Sequence, residues 1–393
     1  FMKKTTKNEQ FHIVVGADTH YISPKLIRNR DLFMSAVNAS DGKASHYAGE
    51  IMDAFVQNVI AEHPEVLVIA GDLTFNGELA SHLELARKLA RVKASGIPVV
   101  VIPGNHDLYN KRACVYDVEG KVPTDSITVE DFEDIYGSYG MDDCLSRSSD
   151  SYSYTWEVNE KTWLLCLDAN TRDNEGIATK KTLEWAEEQL ALAKSQGIRV
   201  IGVSHQNLVN QNQVIYNGFT ISNGAEVFDL YKRYGVAFNI SGHIHLQHER
   251  TVDGIRDVAT SSLTVCPCQY GYITGTEDGL TYENRRVEIE SWAKQHKNTS
   301  KELMDFSNYS RELFCSINRT KALKTMMKVN ASEADKQAMI EGFIKINQAY
   351  FEGNMRRLDK DEVQKIYLLW DRNATGIFST IYLDSMVQET IAV

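Results

Sequence analysis

The stretch IPVVVIPGNHD, residues 97–107, indicates the fold more clearly than any other part of the sequence. Its apolar half is typical of a short strand buried on both faces, and its polar half begins where that strand must end. A second apolar run, residues 66–70, lies before it in the chain. Between the two runs, apolar residues recur at helical spacing and a glycine then provides a stop signal: Leu79, Leu83, Ala86, Ala90 and Gly96. The region therefore predicts a strand, helix, strand unit.

The same kind of apolar run recurs along the first three quarters of the chain. The runs cover residues 11–17, 66–70, 97–102, 163–167, 200–203 and 236–240. Helical patterns fill several of the gaps, so the class predicted is α/β with a mostly parallel sheet. Asp-Gly pairs at residues 252–255 and 277–280 predict hairpins at the end of that sheet.

Polar, chemically capable residues follow five of the six runs directly. They are Asp18-Thr19-His20, Gly71-Asp72, Gly104-Asn105-His106-Asp107, Ser204-His205 and Gly242-His243-Ile244-His245. Ligand sites in parallel sheets lie outside the carboxyl ends of the strands. We therefore expect these side chains to meet at one edge.

Five histidines, three carboxylates and an amide in this set indicate a metal site. Carboxylate oxygen and imidazole nitrogen suit divalent Zn, Mn or Fe, whereas Mg or Ca prefers ligands that are nearly all oxygen. There are more candidate ligands than one ion needs, so the set predicts two ions with a bridging ligand. Two such ions make hydroxide available near neutral pH and neutralise the oxygens of a phosphoryl group. Each motif alone is weak, and the prediction rests on all five in this order behind predicted strands.

This motif series resembles that of the calcineurin-like metallophosphoesterases, which read D-x-H, G-D, G-N-H-D/E, H and G-H-x-H. The match spans residues 18–245. The resemblance implies a β-sandwich flanked by helices and a metal-dependent phosphohydrolase. It also implies roles: first-metal ligands Asp18, His20 and His245, bridging ligand Asp72, second-metal ligands Asn105, His205 and His243, and a catalytic His106 that contacts the phosphoryl oxygen or protonates the leaving oxygen.

Departures from particular branches of the family narrow the expected substrate. Protein Ser/Thr phosphatases extend the second motif as G-D-x-x-D-R-G, whereas residues 71–77 read GDLTFNG. Purple acid phosphatases place a tyrosine ligand three residues after the bridging aspartate, where this chain has Phe75. The closest resemblance is to the bacterial class III cyclic-nucleotide phosphodiesterases with helical C-terminal additions.

The composition changes near residue 290. All six prolines and 21 of the 24 glycines precede that point, and the later part shows apolar residues at helical spacing. Residues 291–393 hold 15 Lys and Arg against 13 Asp and Glu, a net charge of +2. Since the whole chain has a net charge of -11, residues 1–290 carry -13. We predict a catalytic domain at 1–290 and a smaller all-α domain at 291–393. The sequence leaves open whether the helical domain overhangs the site or mediates self-association as a homo-oligomer.

The function predicted is hydrolysis of a small phosphodiester such as a cyclic nucleotide. A phosphomonoesterase or nucleotide pyrophosphatase on the same core remains the alternative. A binding scaffold that has kept the fold is disfavoured because no motif residue is missing. Nucleic acid is disfavoured as a partner because the charge of -13 over residues 1–290 offers no basic stripe.

Composition sets the remaining limits. With 24% charged and 43% hydrophobic residues, disorder is excluded, and no apolar run approaches the roughly 18 residues of a membrane span. The six cysteines are scattered, which favours ordinary thiols. The chain begins at Phe1, which indicates either an added residue before Met2 or a missing upstream segment, so a cytoplasmic and an exported location both stay open.

Three further residues close to the motifs carry weaker expectations. Asp168 also follows a strand run but matches no ligand position, so we expect it to fix a loop. Tyr109 and Asn110 come directly after the third motif and are candidates to line the pocket.

Overall fold

A computed structural model describes residues 10–171 and 176–391. Its strands, in chain order, are β1 (Phe11–Gly16), β2 (Val66–Ala70), β3 (Val99–Ile102), β4 (Cys114–Asp117), β5 (Gly120–Pro123), β6 (Ser146–Arg147), β7 (Tyr154–Asn159), β8 (Thr162–Cys166), β9 (Arg199–Val203), β10 (Phe238–Ser241), β11 (His248–Val252), β12 (Ile255–Ala259), β13 (Gln269–Gly275) and β14 (Leu280–Arg286).

Helices separate most of these strands and form the C-terminal part of the chain. They are α1 (Arg30–Ala39), α2 (Ala48–Glu62), α3 (Leu79–Ala94), α4 (Val129–Tyr136), α5 (Lys180–Gln196), α6 (Gly224–Tyr234), α7 (Ile289–Gln295), α8 (Lys301–Met304), α9 (Phe306–Met326), α10 (Glu333–Phe351), α11 (Lys360–Ala374) and α12 (Phe378–Ile391). All six predicted strands and the predicted helix after β2 are present, with ends that differ by a few residues. None of the described helices is both long and apolar enough to cross a membrane.

The strands form two principal sheets. One has the order β14-β13-β1-β2-β3 and the other the order β11-β12-β10-β9-β8-β7-β6. The six predicted strands run parallel within their sheets, β1, β2 and β3 in the first and β8, β9 and β10 in the second. Side chains of both sheets, such as Ile13 and Val68 from the first and Leu164 and Ile240 from the second, pack into one apolar cluster. The α/β class with a sandwich flanked by helices is confirmed.

The division into two sheets corrects one expectation. The five motif-bearing strands were expected at one edge of one sheet, but β1, β2 and β3 belong to the first sheet and β9 and β10 to the second. The two predicted hairpins form at their Asp-Gly pairs, yet β11-β12 lies at the edge of one sheet and β13-β14 at the edge of the other. Burial on both faces makes a strand apolar whichever sheet it joins, so the sequence pattern does not assign strands to sheets.

The C-terminal helices pack against both sheets. Trp292, Leu303 and Phe306 belong to the apolar cluster that the sheets share. A second cluster joins Ile244 and Leu246, which alternate with the histidines of the fifth motif, to residues of the helices: Met339, Tyr350, Trp370 and Leu383. The helices therefore support the segment that carries the fifth motif. All six cysteines are free thiols, as predicted.

Candidate metal centre

The five motifs converge where the carboxyl ends of strands from the two sheets face each other. Five of the seven expected ligand residues have a backbone in the left-handed region: Asp18 (φ 49°), His20 (φ 40°), Asp72 (φ 48°), His243 (φ 69°) and His245 (φ 64°). Residues other than glycine rarely adopt this conformation, and where they do it clusters at functional sites. The five residues lie just after the ends of β1, β2 and β10, where the chain leaves the strand.

The first group of ligand atoms comes from Asp18, His20, Asp72 and His245, all within 4.8 Å of one another. The His20 and His245 Nε2 atoms lie 2.9 Å apart, and His245 Nε2 lies 3.5 Å from Asp18 Oδ1. Asp18 Oδ1 is buried and has no hydrogen-bond partner among the described residues. A buried carboxylate oxygen without a partner is costly, so this cage of two carboxylates and two imidazoles fits a divalent cation.

The second group comes from Asp72, His205 and His243, also within 4.8 Å of one another. His205 Nε2 lies 3.1 Å from His243 Nδ1 and 3.1 Å from Asn105 Oδ1. Asp72 joins the two groups, because its Oδ1 lies 3.3 Å from His205 Nε2 while its Oδ2 lies 3.8 Å from His20 Nε2. The two groups thus share one carboxylate, as a two-metal centre requires.

Hydrogen bonds on the far side of three imidazoles fix which nitrogen faces the site. His205 Nδ1 donates to Ala70 O at 2.9 Å, and His243 Nε2 donates to Gly218 O at 2.8 Å. His245 Nδ1 lies 2.6 Å from Asp41 Oδ2. Such bonds leave the opposite nitrogen free to bind a metal. The motifs did not reveal Asp41 or Gly218, since both lie far from them in sequence.

The fourth residue of the third motif, Asp107, organises the backbone of the site. Its carboxylate accepts N–H bonds from Leu73 (3.1 Å), Thr74 (2.9 Å) and Gly104 (2.8 Å). Burial raises the pKa of Asp107 to about 7, with Asp72 as a further cause. Asp107 therefore ties the loop after β2 to the loop after β3.

Gly104 is required by a close approach. A Cβ atom at this position would lie 2.2 Å from both the N and the Oδ1 atoms of Asp72. Any side chain at residue 104 would displace the carboxylate that the two ligand groups share.

His106 lies beside the two groups with one nitrogen already engaged. Its Nδ1 lies 2.7 Å from Phe75 O, and its ring centroid lies 5.0 Å from that of His20. Among the described residues, no hydrogen bond uses its Nε2. Burial lowers the pKa of His106, against the opposing effect of Asp72. The arrangement leaves Nε2 available to a bound molecule.

Burial and the neighbouring carboxylates shift the pKa values of the histidines in this site in opposite directions. Burial lowers the pKa of His205, but Asp72 and Asp18 outweigh burial and bring it to about 9. The pKa of His245 is also raised to about 9, because the effects of Asp41 and Asp18 outweigh the lowering by burial and by Lys43. Burial lowers the pKa of His243 to about 4. The carboxylates thus favour the charged form of His205 and His245, whereas burial favours the neutral form of His243.

The weaker expectations have different outcomes. The carboxylate of Asp168 accepts bonds from the N–H groups of Tyr152 and Asn170, so it does fix a loop. The side chain of Asn110 donates to His106 O and supports the third motif from behind. Tyr109 is 55% exposed, and its hydroxyl accepts the N–H of Val129.

Comparisons with known proteins were consistent with this geometry. The family described as calcineurin-like phosphoesterase matches residues 11–247, and the one described as C-terminal domain of cyclic nucleotide phosphodiesterase matches residues 288–392. Curated protein sequences gave no match.

Solved structures similar to this chain include two at low sequence identity. A dimetal phosphatase from Danio rerio is 13% identical, with a TM-score of 0.46, over 71% of this chain and 99% of that one. A putative 5'-nucleotidase from Staphylococcus aureus is 12% identical, with a TM-score of 0.44, over 78% of this chain and 58% of that one.

Proposed function

The chain belongs to the calcineurin-like phosphoesterase family, and from that premise we propose that it is a two-metal phosphodiesterase acting on small substrates such as cyclic nucleotides. The observation that carries the two-metal part is the pair of ligand groups that share Asp72. A metal-dependent phosphohydrolase is what membership of the family implies. The diester preference is the finer part of the proposal.

We assign the ligands as follows. The first ion would be held by Asp18, His20 and His245 and the second by Asn105, His205 and His243, with Asp72 as a ligand common to both. The donor set, with imidazole nitrogen in both groups, fits Mn, Fe or Zn better than Mg or Ca. When bound, such ions activate water and neutralise charge on the phosphoryl oxygens.

His106 is proposed to deliver a proton to the leaving oxygen. Its Nδ1–H donates to Phe75 O, so a proton on Nε2 makes the ring cationic. Burial opposes that form, whereas an anionic phosphoryl group beside the ring favours it. Substrate binding therefore raises the fraction of His106 that is able to act as a general acid.

The family match over residues 288–392 supports the choice of substrate class, since that family is described as part of cyclic nucleotide phosphodiesterases. It also supports a division into a catalytic domain at 1–290 and a helical domain at 291–393. Both remain proposals for this chain.

The test is turnover by the Mn-loaded protein of four substrates: 3',5'-cyclic AMP, 2',3'-cyclic AMP, bis(p-nitrophenyl) phosphate and p-nitrophenyl phosphate. We expect the diesters to be preferred. A strong preference for the monoester would overturn the substrate class and leave a phosphomonoesterase. Hydrolysis of none of the four by a protein that holds two metals would overturn the enzymatic proposal.

A further inference from the structure

A lysine that belongs to none of the motifs enters the site from the loop after α1. The Lys43 Nζ atom lies 3.2 Å from His20 Nε2. In the part of the chain that the structure describes, this ammonium forms no ion pair with Asp18, Asp41 or Asp72, although all three carboxylates belong to the same site. The ammonium therefore lies beside the metal-ligand cage and not inside it.

From this placement we propose that Lys43 is a substrate-binding residue whose ammonium contacts a phosphoryl oxygen of the bound phosphoester. The inference deepens the proposed function and rests on it. The half-buried ammonium attracts the carboxylate of Asp41 but forms no direct ion pair with it, so an anionic ligand can still pair with it. Lysine acts here as a compact point charge, which suits a phosphoryl oxygen.

The position of Lys43 relative to the reacting group supports this role. The ammonium contacts Nε2 of His20. The His20 ring packs edge-on against the rings of His106 and His245, with distances between ring centroids of 5.0 Å and 4.9 Å. A phosphoryl group next to His106 would therefore lie close to the ammonium of Lys43.

The loop that carries Lys43 is held rigidly from inside the fold. The hydroxyl of Ser40 accepts the N–H groups of Gly42 and Lys43, each at 3.1 Å. Ala44 N–H donates to Thr264 O at 2.7 Å. Asp41, from the same loop, contacts His245. The backbone of Lys43 is thereby fixed relative to the proposed first-metal ligands.

Helix α9 holds the same loop from the opposite side. Lys321 Nζ donates to Ser40 O at 2.7 Å. Gly42 has a φ of +109°, and a Cβ atom there would lie 2.6 Å from the ring of Phe314. Only glycine allows this close packing of the loop beneath the helix. The C-terminal helices thus hold in place the residue that we assign to substrate binding.

The positive charge of Lys43 also offsets, at the site itself, the negative net charge of residues 1–290. Residues 1–290 carry a net charge of -13, which repels an anionic substrate. Lys43 adds a positive charge beside the proposed first-metal ligand His20, which would help to attract an anionic phosphoryl group.

The experiment measures binding of inorganic phosphate to the Mn-loaded full chain by calorimetry, together with metal content. The variants are Lys43→Met, Lys43→Gln and Lys43→Arg, and Lys111→Met is the control for loss of one exposed charge close to the third motif. We expect Lys43→Met and Lys43→Gln to keep two Mn per chain and to weaken phosphate binding about 10- to 100-fold. Lys43→Arg should restore most of the affinity, and Lys111→Met should match the parent.

Three outcomes would overturn the inference. One is phosphate affinity unchanged in Lys43→Met, the second is loss of metal in place of loss of phosphate, and the third is a Mn-loaded parent that binds no phosphate. Because the readout requires no turnover, it separates this inference from the proposed diester preference. A parent that cleaves only monoesters would contradict the proposed substrate, while weak phosphate binding by Lys43→Met would still support the role of the lysine.

Discussion

Asp72 directs its two carboxylate oxygens towards different histidines, and the candidate site is built around that division. Oδ1 faces His205 at 3.3 Å and Oδ2 faces His20 at 3.8 Å. The N–H of His106 donates to Oδ1 at 2.8 Å, which fixes the plane of the carboxylate. At the scale of single residues, therefore, the backbone of the third motif orients the proposed bridging ligand of the second.

Replacing His106 tests its assignment as the proton donor. His106→Asn should lower kcat for bis(p-nitrophenyl) phosphate by about 10²- to 10⁴-fold, the usual contribution of a positioned general acid. Metal content should stay at two ions per chain, since His106 belongs to neither ligand group. The matched control is His63→Asn, at an exposed helix end with a φ of 50° that asparagine tolerates. Parental kcat in His106→Asn would refute the assignment.

The contact of Asp41 with His245 predicts an effect on metal affinity. Asp41→Asn keeps an oxygen that can accept from His245 Nδ1 but removes the negative charge. We expect the dissociation constant of the more weakly held Mn to rise about 10- to 100-fold, as is typical when the hydrogen-bond partner of a ligating histidine is changed. Calorimetric titration with Mn measures this directly. An unchanged pair of dissociation constants would show that Asp41 does not support the ligand.

The proposed ligands were predictable from the sequence because each follows an apolar run in a family-like motif. The residues that contact these ligands from outside the motifs were not predictable from the sequence. Helix α9 packs on the loop of Asp41 and Lys43, and Gly218 contributes a backbone carbonyl, for which any residue type would serve. The contacts with the ligand histidines join residues between 23 and 204 positions apart through tertiary packing, and the spacing of the motifs does not indicate them.

At the scale of elements, the start of α3 is held by a buried carboxylate with a perturbed pKa. Glu78 precedes the helix, and its Oε2 accepts from Asn76 N–H at 3.1 Å and from the Ser81 hydroxyl at 3.2 Å. Burial raises the pKa of Glu78 to about 7, despite these bonds. The folded protein thus binds a proton here more tightly than the unfolded chain does.

This shift predicts a pH dependence with a definite sign. The stability that protonated Glu78 contributes is fully present below its unfolded pKa of 4.5 and is lost as pH rises to about 7. Glu78→Gln should therefore match the parent near pH 4.5 and become relatively more stable towards pH 8. Urea denaturation of the metal-free protein across this range measures the difference.

Glu84 on the same helix is the control, because its behaviour should be opposite. Burial raises its pKa, but bonds from Lys25 and Ser23 outweigh burial and lower it. Its contribution is present above its unfolded pKa and is lost as pH falls, so Glu84→Gln should be relatively less stable at neutral pH. A difference between Glu78→Gln and the parent that is constant with pH would contradict the account of Glu78.

Elements were predictable where periodicity was strong, as for β2, β3 and the α3 that joins them. Their assignment to two sheets was not predictable. An apolar run of four to six residues indicates a strand that is buried on both faces, but it does not indicate which strand lies next to it.

At the scale of the whole molecule, the C-terminal helices and the sheets share their apolar clusters. Ile244 and Leu246 pack with Met339 and Tyr350. Asn212, in the segment between β9 and α6, donates to the Tyr350 hydroxyl at 2.9 Å and to the Ser385 hydroxyl at 3.0 Å. The helices thus support the loops that carry His243, His245 and Gly218.

A fragment ending at residue 290 tests this dependence. It would expose Ile244 and Leu246 and leave the side chain of Asn212 without its partners, so we expect aggregation or a clear loss of metal affinity. Full-length protein should unfold in one cooperative transition. A soluble fragment that binds two Mn with the affinity of the full chain would show that the helices make no contribution to the site.

The central claim is that the chain hydrolyses a phosphodiester with the help of two metal ions, which the two ligand groups sharing Asp72 would hold. The most direct test is to titrate metal-free protein with Mn while following hydrolysis of bis(p-nitrophenyl) phosphate. The account predicts that activity rises to a plateau at two Mn per chain, and that Asp72→Asn remains inactive throughout the same titration. A plateau at one Mn per chain, or a folded protein that is inactive at every Mn concentration, would contradict it.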